Sequence, residues 1–281
     1  MLGRVVFYSM AVFVLVPLAF AHVMTRPLRQ PTSAPRDGFV EAHVFSEGLR
    51  LRTWTRRGSP SKPVVVIVHG VGDSLESFVD EGLHFAARGH AVLLLDTRGH
   101  GGSEGDRITL GAREREDVRA AMERLRADGV AASGFVLVGH SMGAVAVLRA
   151  AAREPDDVRA VIVEAPYDTF RETIARHAEV FYHLPRWVPI VPLSIAFAEW
   201  RAGFDADEVD SVAAARRITG ALLAIADGAD VRMPEPVVRR VFDAHRGPKR
   251  IWVAANAEHV GASLDPDYWP TINTFLLENG L

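Results

Sequence analysis

Residues 135–143 read Phe-Val-Leu-Val-Gly-His-Ser-Met-Gly, and this stretch decides the fold. The apolar run at its start lies between Gly134 and Gly139, as is typical of a buried β-strand. Residues 142–153 are rich in Ala and contain no proline, which predicts a helix. Ser141 therefore lies on a sharp turn between a strand and a helix, where backbone N–H groups can stabilise negative charge.

The glycines on either side of this turn strengthen the interpretation. Gly139 and Gly143 flank Ser141 at equal spacing, and a tight elbow leaves little room for side chains there. A bare Gly-x-Ser-x-Gly pattern is common in loops. Between a strand and a helix, however, the same pattern indicates a nucleophilic serine.

A nucleophilic serine needs a general base, and the base needs an acid that orients it. Of the 11 histidines, His259 is the best placed, because it follows the apolar segment 251–254 in a loop. The acid should come between Ser141 and His259, at the end of a strand. Residues 221–225 form such an apolar segment, and both Asp227 and Asp230 follow it.

Over about residues 40–281, four motifs and their order along the chain resemble those of serine hydrolases with the α/β-hydrolase fold. The resemblance implies a mostly parallel eight-stranded sheet flanked by helices, with a small helical cap. It also implies a catalytic triad of Ser, Asp and His. The motifs are His69-Gly70-Val71-Gly72 after strand 64–68, Asp96-Thr97-Arg98-Gly99-His100-Gly101-Gly102-Ser103 after strand 91–95, the turn at Ser141, and the loops that carry Asp230 and His259.

The resemblance also ranks the two candidate acids. In the family the acid usually stands four residues before a proline, and Asp230 is four before Pro234. Asp230 is therefore preferred, although Asp227 stays a competitor because it replaces the glycine usual at that position. By the same comparison, the backbone N–H groups of Val71 and Met142 would form the oxyanion hole.

Other chemistries find little support in the chain. No His or Asp cluster has metal-site spacing, no nucleotide-binding glycine motif is present, and there is no cysteine. We therefore expect no metal and no cofactor. A net charge of −3 gives no electrostatic case for nucleic acid. His140 is interpreted as a packing residue behind the site, and His69 and His100 as supports of their loops.

The N-terminal region differs from the rest. Residues 5–21 are almost continuously apolar, with a length between that of a signal sequence and that of a membrane span. We expect residues 1–24 to be a single-pass membrane anchor. The arginines that follow it would keep the enzyme on the cytoplasmic side of the membrane. The alternative is export after cleavage near Ala21, in the Ala-x-Ala pattern. Residues 25–38 contain three prolines and predict an unpacked linker before a hydrolase domain, 39–281.

Residues 166–215 interrupt the alternation of strands and helices and form the expected cap. Their aromatic content, including Trp187 and Trp200, predicts a small lid that lines an apolar acyl pocket. We thus expect a hydrolase of small-molecule carboxylic esters that works through an acyl-enzyme. A serine nucleophile argues against the branches of this fold that use an aspartate. Amide or thioester hydrolysis, and a non-catalytic binding module, remain alternatives. The oligomeric state is left open.

Overall fold

One sheet of eight strands forms the centre of the computed structural model, which describes the backbone of residues 2–281 and the side chains of residues 13–281. Alternating residues on either side of Glu47 and Gly48 predict a hairpin, and apolar runs predict the other strands. All are present, against predicted bounds of about 39–45, 49–55, 64–68, 91–95, 135–139, 160–164, 221–225 and 249–253. The strands are β1 (Val40–Ser46), β2 (Leu49–Arg56), β3 (Val64–Val68), β4 (Val92–Leu95), β5 (Phe135–His140), β6 (Val158–Glu164), β7 (Ala221–Asp227) and β8 (Lys249–Ala254).

The spatial order of the strands is β1-β2-β4-β3-β5-β6-β7-β8. β1 and β2 form an antiparallel hairpin around Glu47 and Gly48, and β2 also runs antiparallel to β4. The pairs from β4 through β3 to β8 are all parallel. This arrangement confirms the predicted fold class, since parallel strands buried on both faces read as continuous apolar runs.

Helices connect the parallel strands and cover both faces of the sheet. The sequence predicts helices at about 75–88, 111–128, 142–153, 235–245 and 267–278. Each is present within a few residues of these bounds, except that the first begins with a short 3-10 turn at Leu75–Phe78. The helices are α1 (Leu2–Thr25), α2 (Val79–Ala87), α3 (Glu114–Ala127), α4 (Met142–Ala151), α5 (Phe170–Tyr182), α6 (Ile190–Ala202), α7 (Ser211–Ala215), α8 (Glu235–Ala244) and α9 (Tyr268–Glu278).

The core has two layers because side chains alternate along each strand. In β3, Val64, Val66 and Val68 face the layer built with α3, α4, α7 and α8. Val65 and Ile67 face the opposite layer, which contains α2 and α9. The loops that follow the carboxyl ends of β3, β5, β7 and β8 meet at one edge of the sheet, where ligands bind in open α/β sheets.

The cap lies over that edge. Between β6 and β7 the chain forms α5, α6 and α7. A third apolar cluster, which includes Tyr167 and Phe170, packs α5 and α6 against α4 and the loops at this edge, whereas α7 packs into the first layer of the core. Trp187 and Trp200 are 82% and 78% exposed, so the expectation that they line an acyl pocket is wrong. Trp187 lies in the turn between α5 and α6, and Trp200 lies on α6. Aromatic content alone could not tell solvent-facing positions of the cap from inward-facing ones.

The N-terminal segment is packed against the rest of the chain. Helix α1 lies against α6, and Ala21 and Thr25 near its end are buried. The side chains of residues 1–12, which carry part of the predicted apolar segment, lie outside the described residues. Within the part that is described, no helix combines the length and apolar character that a membrane crossing requires.

Residues 26–33, which we call the N-terminal strap, cross the edge of the sheet that carries the loops. The Leu28 N–H donates to the Gly99 carbonyl over 2.9 Å, and the Gln30 side chain donates to the Gly72 carbonyl over 2.6 Å. The expectation of an unpacked linker is therefore wrong. Prolines exclude helix and sheet from this stretch, but its remaining polar groups still bind neighbouring loops.

Candidate active site

Ser141 occupies a strained turn between β5 and α4. Its φ of 52° and ψ of −114° lie outside the regions that L-residues favour. Its N–H donates to the Glu164 carbonyl over 2.9 Å, which ties the turn to β6. A strained backbone of this kind persists only where the surrounding structure fixes it, and it is concentrated at functional sites.

Close backbone contacts account for the two flanking glycines. A Cβ atom on Gly139 would lie 2.5 Å from the Gly143 carbonyl oxygen. A Cβ on Gly143 would lie 2.2 Å from the Val68 carbonyl oxygen. Neither position can take a side chain without moving β3 or the start of α4, so the elbow predicted from the sequence depends on both glycines.

The structure brings Ser141, His259 and Asp230 into one hydrogen-bonded chain. His259 Nε2 lies 2.9 Å from Ser141 Oγ, and His259 Nδ1 lies 2.6 Å from Asp230 Oδ2. Because an ionised carboxylate only accepts, the Nδ1–H donates to Asp230 and leaves Nε2 to accept from the serine hydroxyl. The roles predicted for these residues need this tautomer.

Asp230 is fixed by its own loop. Its Oδ1 accepts hydrogen bonds from the backbone N–H groups of Arg232 at 2.7 Å and Met233 at 3.1 Å. Burial would raise the pKa of this carboxyl, but the hydrogen bond from His259 and those from the backbone bring the pKa below its usual value. Asp230 is therefore ionised at neutral pH although it is buried.

Asp227, the competing candidate, has a different position and charge. Its Oδ2 accepts from the Val260 N–H over 2.8 Å, so it holds the backbone beside His259. Burial and the neighbouring Glu164 carboxylate raise the pKa of Asp227 to about 8. At neutral pH this carboxyl is mostly protonated, whereas the group that stabilises a histidine cation must carry negative charge.

A chain of buried ionisable groups runs beneath the site, and we call it the buried acid–histidine cluster: Glu81, His140, Glu164, Asp227 and Tyr268. His140 lies 2.9 Å from a Glu81 oxygen and 2.8 Å from a Glu164 oxygen. Burial lowers the pKa of His140, but the two carboxylates more than offset that effect and raise it to about 10. His140 is thus a cation, not only a packing residue.

The cluster supports the loop of His259 from below. Glu164 accepts from the Ala262 N–H over 2.9 Å, and Tyr268 donates to Glu81 over 2.8 Å. No sequence pattern connects Glu81, Glu164 and Tyr268, because they lie on three different elements far apart in the chain. Only the position of Glu164 could have indicated the cluster, because a carboxylate at the end of a buried strand needs a polar partner.

His69 organises the loop after β3. Its Nδ1 donates to the Gly70 carbonyl over 2.7 Å, and its Nε2 accepts from the Thr97 N–H over 3.1 Å. Burial lowers the pKa of His69, so the ring is neutral, as these two bonds require. The Gly70 carbonyl and the Val71 N–H belong to one planar trans peptide and point in opposite directions. His69 therefore sets the direction of the Val71 N–H.

Both predicted oxyanion donors lie beside Ser141. A Cβ on Gly70 would be 3.3 Å from the Ser141 Cβ, which shows how closely this loop approaches the serine. Met142 is the first residue of α4, and the first N–H groups of a helix have no partner within the helix. Val71 and Met142 line the same cavity as Ser141. Their role as donors stays a prediction.

The cavity above Ser141 has a volume of about 440 Å³. Its walls come from the loops after β3, β7 and β8, from cap helix α5, and from the end of α1 with the strap. Apolar side chains predominate, and the polar wall residues include Asp73, Thr173 and Arg232. Among the residues that the structure describes, no group of His, Asp or Glu is arranged to hold a metal ion.

Comparison with solved structures agrees with this architecture. An esterase of Pyrococcus furiosus superposes with a TM-score of 0.70 at 20% identity, over 90% of this chain and 98% of that one. The chain has the α/β-hydrolase fold. The family model described as serine aminopeptidase, S33, matches residues 59–194, which include the Gly70 loop and Ser141 but end before Asp230 and His259.

Sequence relatives match part of their own length. An uncharacterized protein of Bacillus subtilis is 31% identical over 196 residues, which are 69% of this chain and 64% of that protein. A monoacylglycerol lipase of Mycolicibacterium smegmatis is 30% identical over 147 residues, which are 49% of this chain and 50% of the lipase. The chain therefore spans less than two thirds of these relatives.

Proposed function

We propose that this α/β-hydrolase is a serine hydrolase that cleaves a carboxylic ester with an apolar acyl group. The observation that carries the proposal is the chain of hydrogen bonds from Ser141 through His259 to an ionised Asp230. A serine with a base at 2.9 Å and an orienting carboxylate is the arrangement that activates a hydroxyl nucleophile.

The reaction proceeds through an acyl-enzyme. Ser141 Oγ attacks the ester carbonyl while His259 Nε2 takes its proton, and Asp230 stabilises the resulting imidazolium. The oxyanion of the tetrahedral intermediate accepts hydrogen bonds from the Val71 and Met142 N–H groups. His259 then protonates the departing alcohol. Water, deprotonated by His259, attacks the acyl group, and Ser141 regains its proton as the acid leaves.

The walls of the cavity support an apolar acyl group. The side chains that face the space above Ser141 are mostly hydrocarbon, among them Ile108, Phe170 and Ile174. Removing apolar surface from water favours binding by about 0.8 kcal/mol per methylene. The matched monoacylglycerol lipase acts, by its name, on an acyl ester, and this also supports the proposal.

Amide hydrolysis is the second candidate. The name of the matched family model, serine aminopeptidase, favours it. An aminopeptidase needs a carboxylate that meets the free amine of its substrate, and Asp73 in the cavity wall is available for that contact. Thioester hydrolysis uses the same triad and belongs to the same test.

The test is a fluorophosphonate probe together with a substrate panel. We expect the probe to label Ser141 in the full chain and to leave the Ser141→Ala variant unlabelled. Among matched p-nitrophenyl esters, peptide amides and thioesters, kcat/KM should be highest for the esters. A folded protein that the probe does not label would indicate a non-catalytic binding module. A preference for peptide amides would assign the aminopeptidase activity instead.

We further propose that the N-terminal helix holds the protein at a membrane. The apolar sequence of residues 5–21 and the exposed Phe13, Val14 and Leu15 of α1 support this location. The protein should then sediment with membranes and resist extraction by high salt. N-terminal sequencing that begins at His22 would instead indicate export after cleavage near Ala21.

A further inference from the structure

The end of helix α1 reaches the active-site cavity. Val23 and Met24 of α1 and Leu28 of the strap line the same 440 Å³ space as Ser141 and His259. The N-terminal segment therefore forms a wall of the site that the proposed reaction uses. Neither the family motifs nor the matched range 59–194 includes this wall.

A second cavity of about 150 Å³ adjoins the first. Val23, Met24, Ile174 and His177 line both cavities, so the two spaces meet where α1 passes α5. Beyond this junction the second cavity continues between α1, α5 and α6. Its remaining walls are mostly apolar and include Phe20, Tyr182, Leu184 and Ile190.

The polar residues His177 and Ser194, which line the second cavity, carry no charge. Burial, aided by the nearby Arg176, lowers the pKa of His177 to about 4, so its ring is neutral at physiological pH. Within the described part of the chain the His177 Nε2 atom has no hydrogen-bond partner. Ser194 in the second cavity donates to the Ile190 carbonyl of its own helix over 2.7 Å. A charged ligand would lose its hydration here without gaining a partner, whereas a hydrocarbon chain would not.

We propose that the acyl chain of the substrate runs from Ser141 between α1 and α5 into the second cavity. This inference rests on the proposed ester hydrolysis and names its substrate class: esters of long linear acyl chains. An apolar cavity of about 150 Å³ is large enough to hold benzene, that is about six carbons. Helix α1 is then a specificity element of the enzyme as well as a candidate anchor.

The experiment measures kcat/KM on the full chain for butanoyl, octanoyl, dodecanoyl and hexadecanoyl p-nitrophenyl esters. Each methylene that becomes buried should raise kcat/KM by up to about fourfold, until the second cavity is filled. Met24→Trp fills the junction of the cavities and should lower the dodecanoyl-to-butanoyl ratio at least tenfold. Leu184→Trp narrows the far cavity and should lower the ratio for the longest chains first.

The matched control is Leu15→Trp. Leu15 lies on the same helix, is 63% exposed and lines neither cavity, so the ratio should stay at the wild-type value. Thermal melts and fluorophosphonate labelling show which variants are folded and have a reactive serine. If Met24→Trp does not fold, Leu184→Trp decides.

The outcomes separate this inference from the proposed function. A wild type that labels with the probe but shows no rise from butanoyl to dodecanoyl esters overturns the inference alone. The same follows if Met24→Trp or Leu184→Trp folds, labels and keeps the wild-type ratio. A folded wild type that does not label overturns the proposed function, and the acyl site with it.

Discussion

Replacing Asp230 by Asn keeps the shape of the side chain and removes its charge. Because Asp230 Oδ1 accepts from two backbone N–H groups, the amide oxygen of Asn should stay there and its NH₂ group should face His259. Two donors cannot share a hydrogen bond, so Nδ1 must become an acceptor and the ring proton moves to Nε2. That tautomer cannot accept the proton of Ser141. The expected loss in kcat is about 10⁴, or about 5.4 kcal/mol.

Asp227→Asn is the matched control, three residues earlier at the end of β7. Burial and Glu164 raise the pKa of Asp227 to about 8, so the native side chain is already mostly neutral at pH 7. An Asn there can still accept from the Val260 N–H and, like the protonated acid, places no second negative charge beside Glu164. We expect kcat to change by less than about tenfold, which corresponds to less than about 1.4 kcal/mol.

The assay is steady-state hydrolysis of a p-nitrophenyl ester at pH 7, with a thermal melt of each variant to show that it is folded. Proton NMR adds a direct readout, since the low-field signal of the Nδ1–H that donates to Asp230 should disappear in Asp230→Asn and persist in Asp227→Asn. A larger loss of kcat in Asp227→Asn than in Asp230→Asn would refute the reasoning and transfer the acid role to Asp227.

Further predictions concern the turn at Ser141, the buried acid–histidine cluster, and helix α1 with the strap. Ser141→Ala should lower kcat by about 10⁶ in steady-state ester hydrolysis. Ser141→Gly should raise the melting temperature, because it releases about 1–3 kcal/mol of backbone strain at φ 52°. A lower melting temperature of the glycine variant would contradict the strain. The free energy of unfolding, measured in urea, should fall from pH 7 to 10. Folding raises the pKa of His140 from 6.5 to about 10 and that of Asp227 from 3.8 to about 8. The folded state therefore loses these protons at a higher pH than the unfolded state does. Asp227→Asn should flatten the part of this decline below pH 8. An unchanged slope would show that Asp227 does not contribute to it. Deletion of residues 1–38 should lower the melting temperature, because α1 and the strap pack on the cap and the loops; a melt equal to that of the full chain would show that this packing contributes nothing.

Local patterns carried most of the fold prediction. The strands of the parallel sheet are short apolar runs with glycines or polar turns at their ends, and the turn at Ser141 is defined by residues within four positions of it. The hairpin of β1 and β2 followed from alternation around Glu47 and Gly48. Such signals depend on neighbours in sequence, so they survive without knowledge of tertiary contacts.

The remaining features depend on contacts between distant segments. Glu81 and Glu164 read as ordinary charges in the sequence, yet they meet on either side of His140 in the interior. The choice between Asp227 and Asp230 rested on a family spacing, because both follow the same strand. Trp187 and Trp200 face solvent, although the aromatic content of residues 166–215 predicted that they line a pocket. Residues 25–38 bind loops that are distant in sequence, and no local sequence pattern indicates which loops these are.

We expect the N-terminal strap to control local opening at this edge of the sheet. Its backbone and side chains bond to the Gly99 and Gly72 carbonyls, and the Ile108 N–H donates to the Thr25 carbonyl just before it. Lifting the strap breaks these bonds together and frees the loop that holds Val71, while the sheet stays intact. Amide hydrogens of Leu28 and Ile108 should then exchange at one common rate, well before those of β5. A ligand that fills the acyl site would slow that exchange, so the rate measures occupancy without any chemical turnover.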